Sequence, residues 1–517
     1  MKLSLCAIIV TIPALVGTPL LAQENPDIDA AARSVVRVVV LATDESGARQ
    51  ELGMGSGVAI SPTRIVTNAH VVEAAVARGG FVGIVPSEGR KRYVGEVVAY
   101  SADLDLAIIA LKSGRITPAT VYAGRLADGA AVAALGYPYG VDRAMASGVD
   151  EVIRPQSPVK SLGHVGGRRT NERFDTVLHD AAIGRGNSGG PLIDACGRVV
   201  GINSFLSVSE GIDSTFAFAI SARELNAFLT KSKVTPAVSM TPCLSQDDAA
   251  AREAALTRAE QDAAAVEAKR ADGDMVKAAT EKLRIRDDIS GERENGLAVA
   301  VALFGLGLLA AVGGIVVLGR PTQEQRRLAP VALVLAGLAL LGAVFVFLAR
   351  PKLSEVEDRY DAAHPAKPAA QAAFAETGGA KLCKINLDRS RVTISKTDDV
   401  PLTWKDDGCA NGKTQYGSNA GVWSRTFVPN GEATVTIQSY DPAKTRYTVE
   451  RYLMGADAMD KARSIRARYR NNACTTDVAQ RQSVADMESA IRTVLPPAPN
   501  ERLVFDCKGG TSPPQAG

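Results

Sequence analysis

Histidine is scarce in this chain, with four residues among 517. None pairs with another at metal-ligand spacing, and the seven cysteines include no C-x-x-C, so neither a histidine nor a thiolate metal centre is expected. Strong net charge is also missing: at +3, the balance offers no basic surface for a nucleic acid. No cofactor is expected. Charge is absent altogether from two long stretches, Gly296 to Gly319 and Leu328 to Ala349. Each is long enough to cross about 30 Å of hydrocarbon at roughly 1.5 Å per helical residue, which predicts two transmembrane helices. The connector between them, residues 320–327, carries Arg320, Arg326 and Arg327 against a single acid, Glu324. Positive charge concentrates on cytoplasmic loops, so the connector is expected in the cytoplasm and both flanks of the hairpin outside it.

The length predicts about three domains. Residues 1–22, with Lys2, an apolar run from Leu5 to Leu21 and small Ala22, read as a signal peptide cleaved near Ala22-Gln23, an uncleaved anchor being the alternative. Export suits the cysteines. Cys383, Cys409, Cys474 and Cys507 near the C-terminus are disulfide candidates with three connectivities open, and whether Cys196 meets Cys243 is also open. Residues 247–294, rich in Ala and charge, predict a helical spacer that Asp272-Gly273-Asp274 should break in two. Without a Leu/Ile heptad it reads as solvated helix, with an oligomerisation coil as the alternative. Residues 353–379 read as a linker and 381–508 as a small α+β domain. In that domain Ala433–Ile437 and Arg446–Val449 flank a turn and predict a hairpin, Val484, Met487, Ile491 and Leu495 have helical spacing, and Leu503–Phe505 predicts a strand. Binding, of substrate, an envelope partner or another copy, is the expected role of this domain.

The richest chemistry lies between Ile183 and Leu192, in IGRGNSGGPL. Glycines on both sides of Ser188 let the backbone turn tightly enough to aim amide hydrogens at one point beside an exposed hydroxyl. Such turns are mostly structural, so the presence of a base and an acid decides the matter. His70 ends the stretch Gly55 to His70, which reads as strand, Ser61-Pro62-Thr63 turn and strand, and places the histidine at the end of a buried strand. Asp105, directly before the apolar run Leu106 to Ala110, can accept the imidazole N–H. The other histidines, His164, His179 and His364, read as loop or surface residues.

The order His, Asp, Ser, carried by TNAHVV, DLDLAII and GRGNSGGPL, resembles the trypsin-like proteases of the HtrA (Deg) family over about residues 30–232. Ala134–Gly140 and Phe218–Ile220 agree with that family's pattern. The resemblance implies an all-β, trypsin-like double β-barrel with Ser188 as nucleophile, His70 as base and Asp105, in preference to Asp103, orienting the imidazole. It assigns the oxyanion hole to backbone amides of Gly186, Asn187 and Ser188. The floor of the primary specificity pocket falls on Ala182, which carries no acid to select Lys or Arg. The substrate-pairing strand contains Ser204, Phe205 and Leu206, and Leu206 narrows the pocket towards small aliphatic residues. Asn187 replaces the Asp that trypsin-like zymogens pair with a new N-terminus, which argues against that activation route. Where the family has PDZ domains, this chain has a helix and a membrane hairpin. The expectation is a membrane-anchored serine endopeptidase of the bacterial inner membrane, with its protease and C-terminal domains on the periplasmic side. Misfolded or regulatory proteins are the expected substrates, and a homo-oligomer is compatible with the pattern. A non-catalytic scaffold or peptide sensor is the alternative.

Overall fold

The computed structural model describes residues 25–43, 49–79, 81–145, 153–170, 174–206, 216–319, 329–365, 378–469 and 473–509. The proposed signal peptide and the connector 320–327 lie outside the described residues. Two compact units result, one made of Met1–Glu253 with Glu376–Gly517 and the other of Ala254–Ala375.

In the first unit, β1 (Val35–Thr43), β2 (Arg49–Ser61), β3 (Arg64–Thr67), β4 (Phe81–Pro86), β5 (Tyr93–Ser101) and β6 (Leu106–Leu111) close a barrel in the order β1-β2-β3-β6-β5-β4. Eight strands follow: β7 (Thr120–Tyr122), β8 (Ala131–Gly136), β9 (Val159–Thr170), β10 (Asp175–His179), β11 (Pro191–Asp194), β12 (Val199–Leu206), β13 (Ala217–Ser221) and β14 (Ala237–Ser239). Pairing of β11 with β12 closes β11-β8-β9-β10-β13-β12 into a second barrel, leaving β7 and β14 beside β12.

The period-2 geometry of a strand explains how so many Val, Ile and Ala residues divide between cores. Val36, Val38 and Val40 of β1 fill the first barrel, while Val35 turns towards a core shared by both barrels. On β8, Val132 and Ala134 line the second barrel, while Ala133 and Leu135 join the shared core. That shared core holds the two barrels together, and the candidate site is built on loops of both. Short helices decorate them: α1 (Pro26–Ala32), α2 (Ala69–Arg78), α3 (Tyr139–Met145) and α4 (Ala222–Lys231).

In the second unit, α5 runs from Gln246 to Leu318 as one helix of 73 residues. Its first turns belong to the first unit. It passes through Asp272-Gly273-Asp274 without the expected break. One glycine costs only about 1 kcal/mol relative to alanine, too little to interrupt a segment whose neighbours are strong helix formers. α6 (Ala329–Leu348) follows, and both helices are long and apolar enough to cross a membrane. They meet along small residues: Ala300, Gly307 and Gly314 of α5, and Ala329, Ala336 and Ala343 of α6, are buried in a seam where a Cβ on Gly307 would come within 3.0 Å of Leu340. The expected linker is partly helical. α7 (Val356–Ala363) lies along α5 through the ion pairs Lys282–Glu357 at 2.5 Å and Arg359–Glu292 at 2.8 Å.

The C-terminal part forms a nine-stranded sheet with α8 (Ala456–Arg466) and α9 (Val478–Arg492). Strands Thr434–Asp441 and Arg446–Leu453 pair as the expected hairpin, and Val484, Met487 and Ile491 are the buried face of α9. Three disulfides are present: Cys196–Cys243, Cys383–Cys507 and Cys409–Cys474.

This sheet is no free-standing module. It shares one compact unit with the barrels, and the contacts are specific. Asp27 of α1 forms a buried ion pair with Arg391 and accepts from Asn500 Nδ2 at 2.8 Å. Arg391 Nε donates to the Leu244 carbonyl at 2.9 Å, and Arg33 donates to the Leu453 carbonyl at 2.8 Å. Glu88 accepts from the Ala456 amide at 3.1 Å, serving the first turn of α8, whose own N-cap residue, Gly455, has no side chain to offer.

Candidate active site

His70 stands in the first turn of α2, not at the end of a strand as expected. β3 stops at Thr67, and Asn68 is the extended residue that begins the helix. The imidazole is half exposed, and its Nδ1 lies 2.9 and 3.0 Å from the two carboxylate oxygens of Asp105. Asp105 also accepts from the His70 amide at 3.1 Å, while its own carbonyl accepts from Asn68 Nδ2 at 2.8 Å. These bonds hold Asp105 in the left-handed region, at φ +50°, a conformation that Asp tolerates better than most residues. Asp103 is exposed and takes no part.

Ser204 is more than a wall of the substrate strand. Its hydroxyl donates to Asp105 Oδ2 at 2.5 Å, and its carbonyl accepts from Ser188 Oγ at 3.2 Å. Burial alone would raise the Asp105 pKa, but the hydrogen bonds from His70 and Ser204 outweigh it and hold the carboxyl below its ordinary value. The acid is therefore ionised and ready to stabilise an imidazolium. Among the described residues no hydrogen bond joins His70 to Ser188; the serine rests against Ser204 instead.

The loop carrying Ser188 is a tight turn. The Asn187 amide donates to the Gly184 carbonyl at 3.0 Å, and Gly186 occupies the third position with φ +98°, as a type II turn requires. A Cβ on Gly186 would lie 2.2 Å from the Tyr137 carbonyl, so only glycine fits. Asn187, expected as a third oxyanion donor, is thus committed to closing the turn. The amides of Gly186 and Ser188 donate to no acceptor among the described residues. Those two remain for an oxyanion.

Ser56 was missed in the sequence, although Gly55-Ser56-Gly57 flanks it with glycines much as Ser188 is flanked. It is fully buried and braces the loop twice: its hydroxyl donates to the Gly186 carbonyl at 2.6 Å and its amide to the Ser188 carbonyl at 2.9 Å. Gly189 donates to the Asn203 carbonyl, and Asn203 to the Gly190 carbonyl, each at 2.9 Å, which ties the loop to β12.

At the expected specificity pocket, Ala182 is exposed, Ser204 is buried, and Phe205 and Leu206 are partly open to solvent. Phe205 stacks on Phe218 with ring centroids 4.8 Å apart. His179 corrects the expectation of a surface histidine. It lies on β10 with no exposure, and neither ring nitrogen finds a hydrogen-bond partner. Burial drives its pKa down to about 4, a fall that the polar Asn203 side chain, the Asp180 charge and the Ala181 backbone, near the ring but in no well-aligned hydrogen bond with it, only partly offset. His164 is exposed on β9, and His364 is exposed at the end of α7.

Residues 55–202 match the family described as a trypsin-like peptidase domain. The magnetosome formation protease MamE of Paramagnetospirillum magneticum is 33% identical over 34% of this chain and 23% of its own length. Serine protease Rv3671c of Mycobacterium tuberculosis is 32% identical over 45% of this chain and 53% of its own. The periplasmic serine endoprotease DegP of Salmonella typhimurium is 33% identical over 34% and 35%. The segment is an HtrA-like, trypsin-fold peptidase domain. A solved structure of the Rv3671c protease in an inactive form covers 40% of this chain and 92% of that one, at 27% identity and a TM-score of 0.31. The chain spans about half or less of the length of these curated relatives.

Proposed function

We propose that this chain is a membrane-anchored serine endopeptidase in which Ser188, His70 and Asp105 form the catalytic triad. The observation that carries the reading is the conjunction of an ionised Asp105 on His70 Nδ1 with a serine turn that leaves two amides undonated. A staggered rotation of the Ser188 side chain exchanges its bond to Ser204 for one to His70 Nε2. Its oxygen then attacks the scissile carbonyl, His70 takes the hydroxyl proton, and the Gly186 and Ser188 amides receive the developing oxyanion. His70 returns that proton to the leaving amine, and water releases the acyl group by the same route in reverse. The exposed edge at Phe205 and Leu206, without an acid at Ala182, favours small aliphatic residues before the cleaved bond in misfolded or regulatory proteins.

The resting bond from Ser188 to Ser204 favours a second reading, a non-catalytic peptide-binding scaffold. Incubating the full chain in detergent with an unfolded protein such as casein, and with a labelled fluorophosphonate, separates the two. The enzyme reading expects cleavage and labelling that vanish in Ser188→Ala. Cleavage that survives this substitution, or an intact chain that neither cleaves nor labels, overturns it.

For location, we propose the bacterial inner membrane with barrels and C-terminal sheet outside the cytoplasm. The two parts of the first unit share the buried Asp27–Arg391 pair, so both ends of the apolar hairpin belong on one side, and three disulfides favour an oxidising side. Reporter fusions within residues 320–327 and after residue 400 test this. A cytoplasmic signal from the second fusion refutes it.

A further inference from the structure

Resting on the protease reading, the question is what sets the oxyanion loop when Asn187 stands where zymogens use an aspartate. A trans peptide is planar, with its C=O and N–H pointing in opposite directions. Whatever holds the carbonyl of a peptide therefore aims its N–H. The Ser188 amide is aimed from within the loop, since the Asn187 carbonyl accepts from Gly190 at 3.0 Å. The Gly186 amide is aimed from outside it. The Arg185 carbonyl accepts from the Tyr139 amide at 2.7 Å, and Tyr139 is the first residue of α3.

α3 is a single short helix on a connecting segment, too short to be stable alone. Its anchor is Asp142, which forms a 2.7 Å ion pair with Arg37 of β1, the two side chains being 7% and 0% exposed. The Arg37 guanidinium lies 4.5 Å over the Tyr137 ring, and the Tyr137 hydroxyl donates to the Gln156 carbonyl at 3.0 Å. Pro138, between Tyr137 and α3, accepts from Val141 and Asp142 at 3.0 and 3.2 Å, so the start of the helix follows Asp142 closely.

We propose that the buried Arg37–Asp142 pair is a positioning device that fixes α3 so that Tyr139 holds the Arg185 carbonyl and turns the Gly186 amide towards the oxyanion. Neither residue touches the substrate. The device links the first barrel to the nucleophile loop of the second, which a free N-terminus does in an activated zymogen.

The test uses the full chain in detergent with two variants. Asp142→Asn removes the carboxylate charge that pairs with Arg37. Tyr139→Pro removes the donor and sets a ring carbon against the Arg185 carbonyl, while proline is tolerated at the first helical position and the Tyr139 side chain is 43% exposed. Both should lower kcat by about 10- to 100-fold with KM changed less than about threefold, since an oxyanion donor acts in the transition state. Affinity for a peptide boronate should fall in parallel, affinity for an uncleavable peptide should not, and Asp142→Glu should restore most of the rate. Unchanged kcat in Tyr139→Pro, or losses appearing equally in both affinities, overturns the proposal. A crystal structure of either variant gives a readout independent of activity: the Arg185–Gly186 peptide should be reversed, and a retained orientation overturns the proposal. An intact chain that never labels at Ser188 refutes the protease reading instead, and the peptide orientation still judges this one.

Discussion

The buried histidine of β10 makes the stability of the peptidase domain depend on pH in a way that can be worked out. His179 is neutral in the folded chain, with a pKa lowered from 6.5 to about 4 by burial. In the unfolded chain the ring is solvated and binds a proton at the ordinary value, so between these two values the unfolded state holds more protons. Stability from this group is therefore full above about pH 6.5, declines as pH falls towards 4, and is lost below it. At 1.36 kcal/mol per pH unit the interval is worth about 3 kcal/mol, a large fraction of the 5 to 15 kcal/mol typical of a domain. The assay compares the full chain with His179→Met, which puts a side chain that does not titrate in place of the buried ring. Denaturant melts read by deuterium uptake in peptides from β10 and β12 should give curves that separate by about 3 kcal/mol between pH 7.5 and pH 4. The variant should hold its stability where the parent loses it. Curves parallel within about 0.5 kcal/mol would refute the reasoning and mean that the folded chain accommodates the charged ring.

Other expectations are briefer. Gly186→Ala places a methyl 2.2 Å from the Tyr137 carbonyl and should lower kcat by at least about 100-fold, checked by peptide hydrolysis with fluorophosphonate labelling as a control. Ser204→Ala removes a hydroxyl donor from the Asp105 carboxylate; its pKa should rise, the acid limb of activity should move to higher pH, and kcat/KM should fall roughly 10-fold. Arg391→Ala leaves Asp27 buried without its cation and should destabilise the first unit by about 3 to 5 kcal/mol in denaturant melts, with earlier proteolysis near α1. Reduction of the disulfides should weaken the same unit by about 2 to 4 kcal/mol for each bridge, measured by melts with and without dithiothreitol.

The proposed triad was legible because its residues sit beside strong local signals: glycines around Ser188, and apolar strand patterns before His70 and after Asp105. The commitment of Asn187 was legible in principle, since Gly184-Arg185-Gly186-Asn187 has glycine where a type II turn needs it, but a list of nearby amides does not reveal which are used. His179 was misread because polarity suggests surface, whereas β10 is covered on both faces and alternation carries no information there. Asp272-Gly273-Asp274 was misread by weighting one unfavourable residue above a long helical context. The docking of the C-terminal sheet had no local signature at all, since Asp27 and Arg391 are 364 residues apart. Such pairs are written in three dimensions only.

The interleaving of the first unit also sets a timetable. Its N-terminal helix is clamped by Arg391 and Asn500, and the last strand of the sheet, Glu501–Gly509, leaves the ribosome after all of these. Residues 254–375 must be made before the second half of the body exists. A nascent chain therefore carries its barrels with α1 held on one side only until Arg391 and Asn500 have been made. Full stability of the peptidase domain is reached only once Arg391, Asn500 and the strand Glu501–Gly509 have been made.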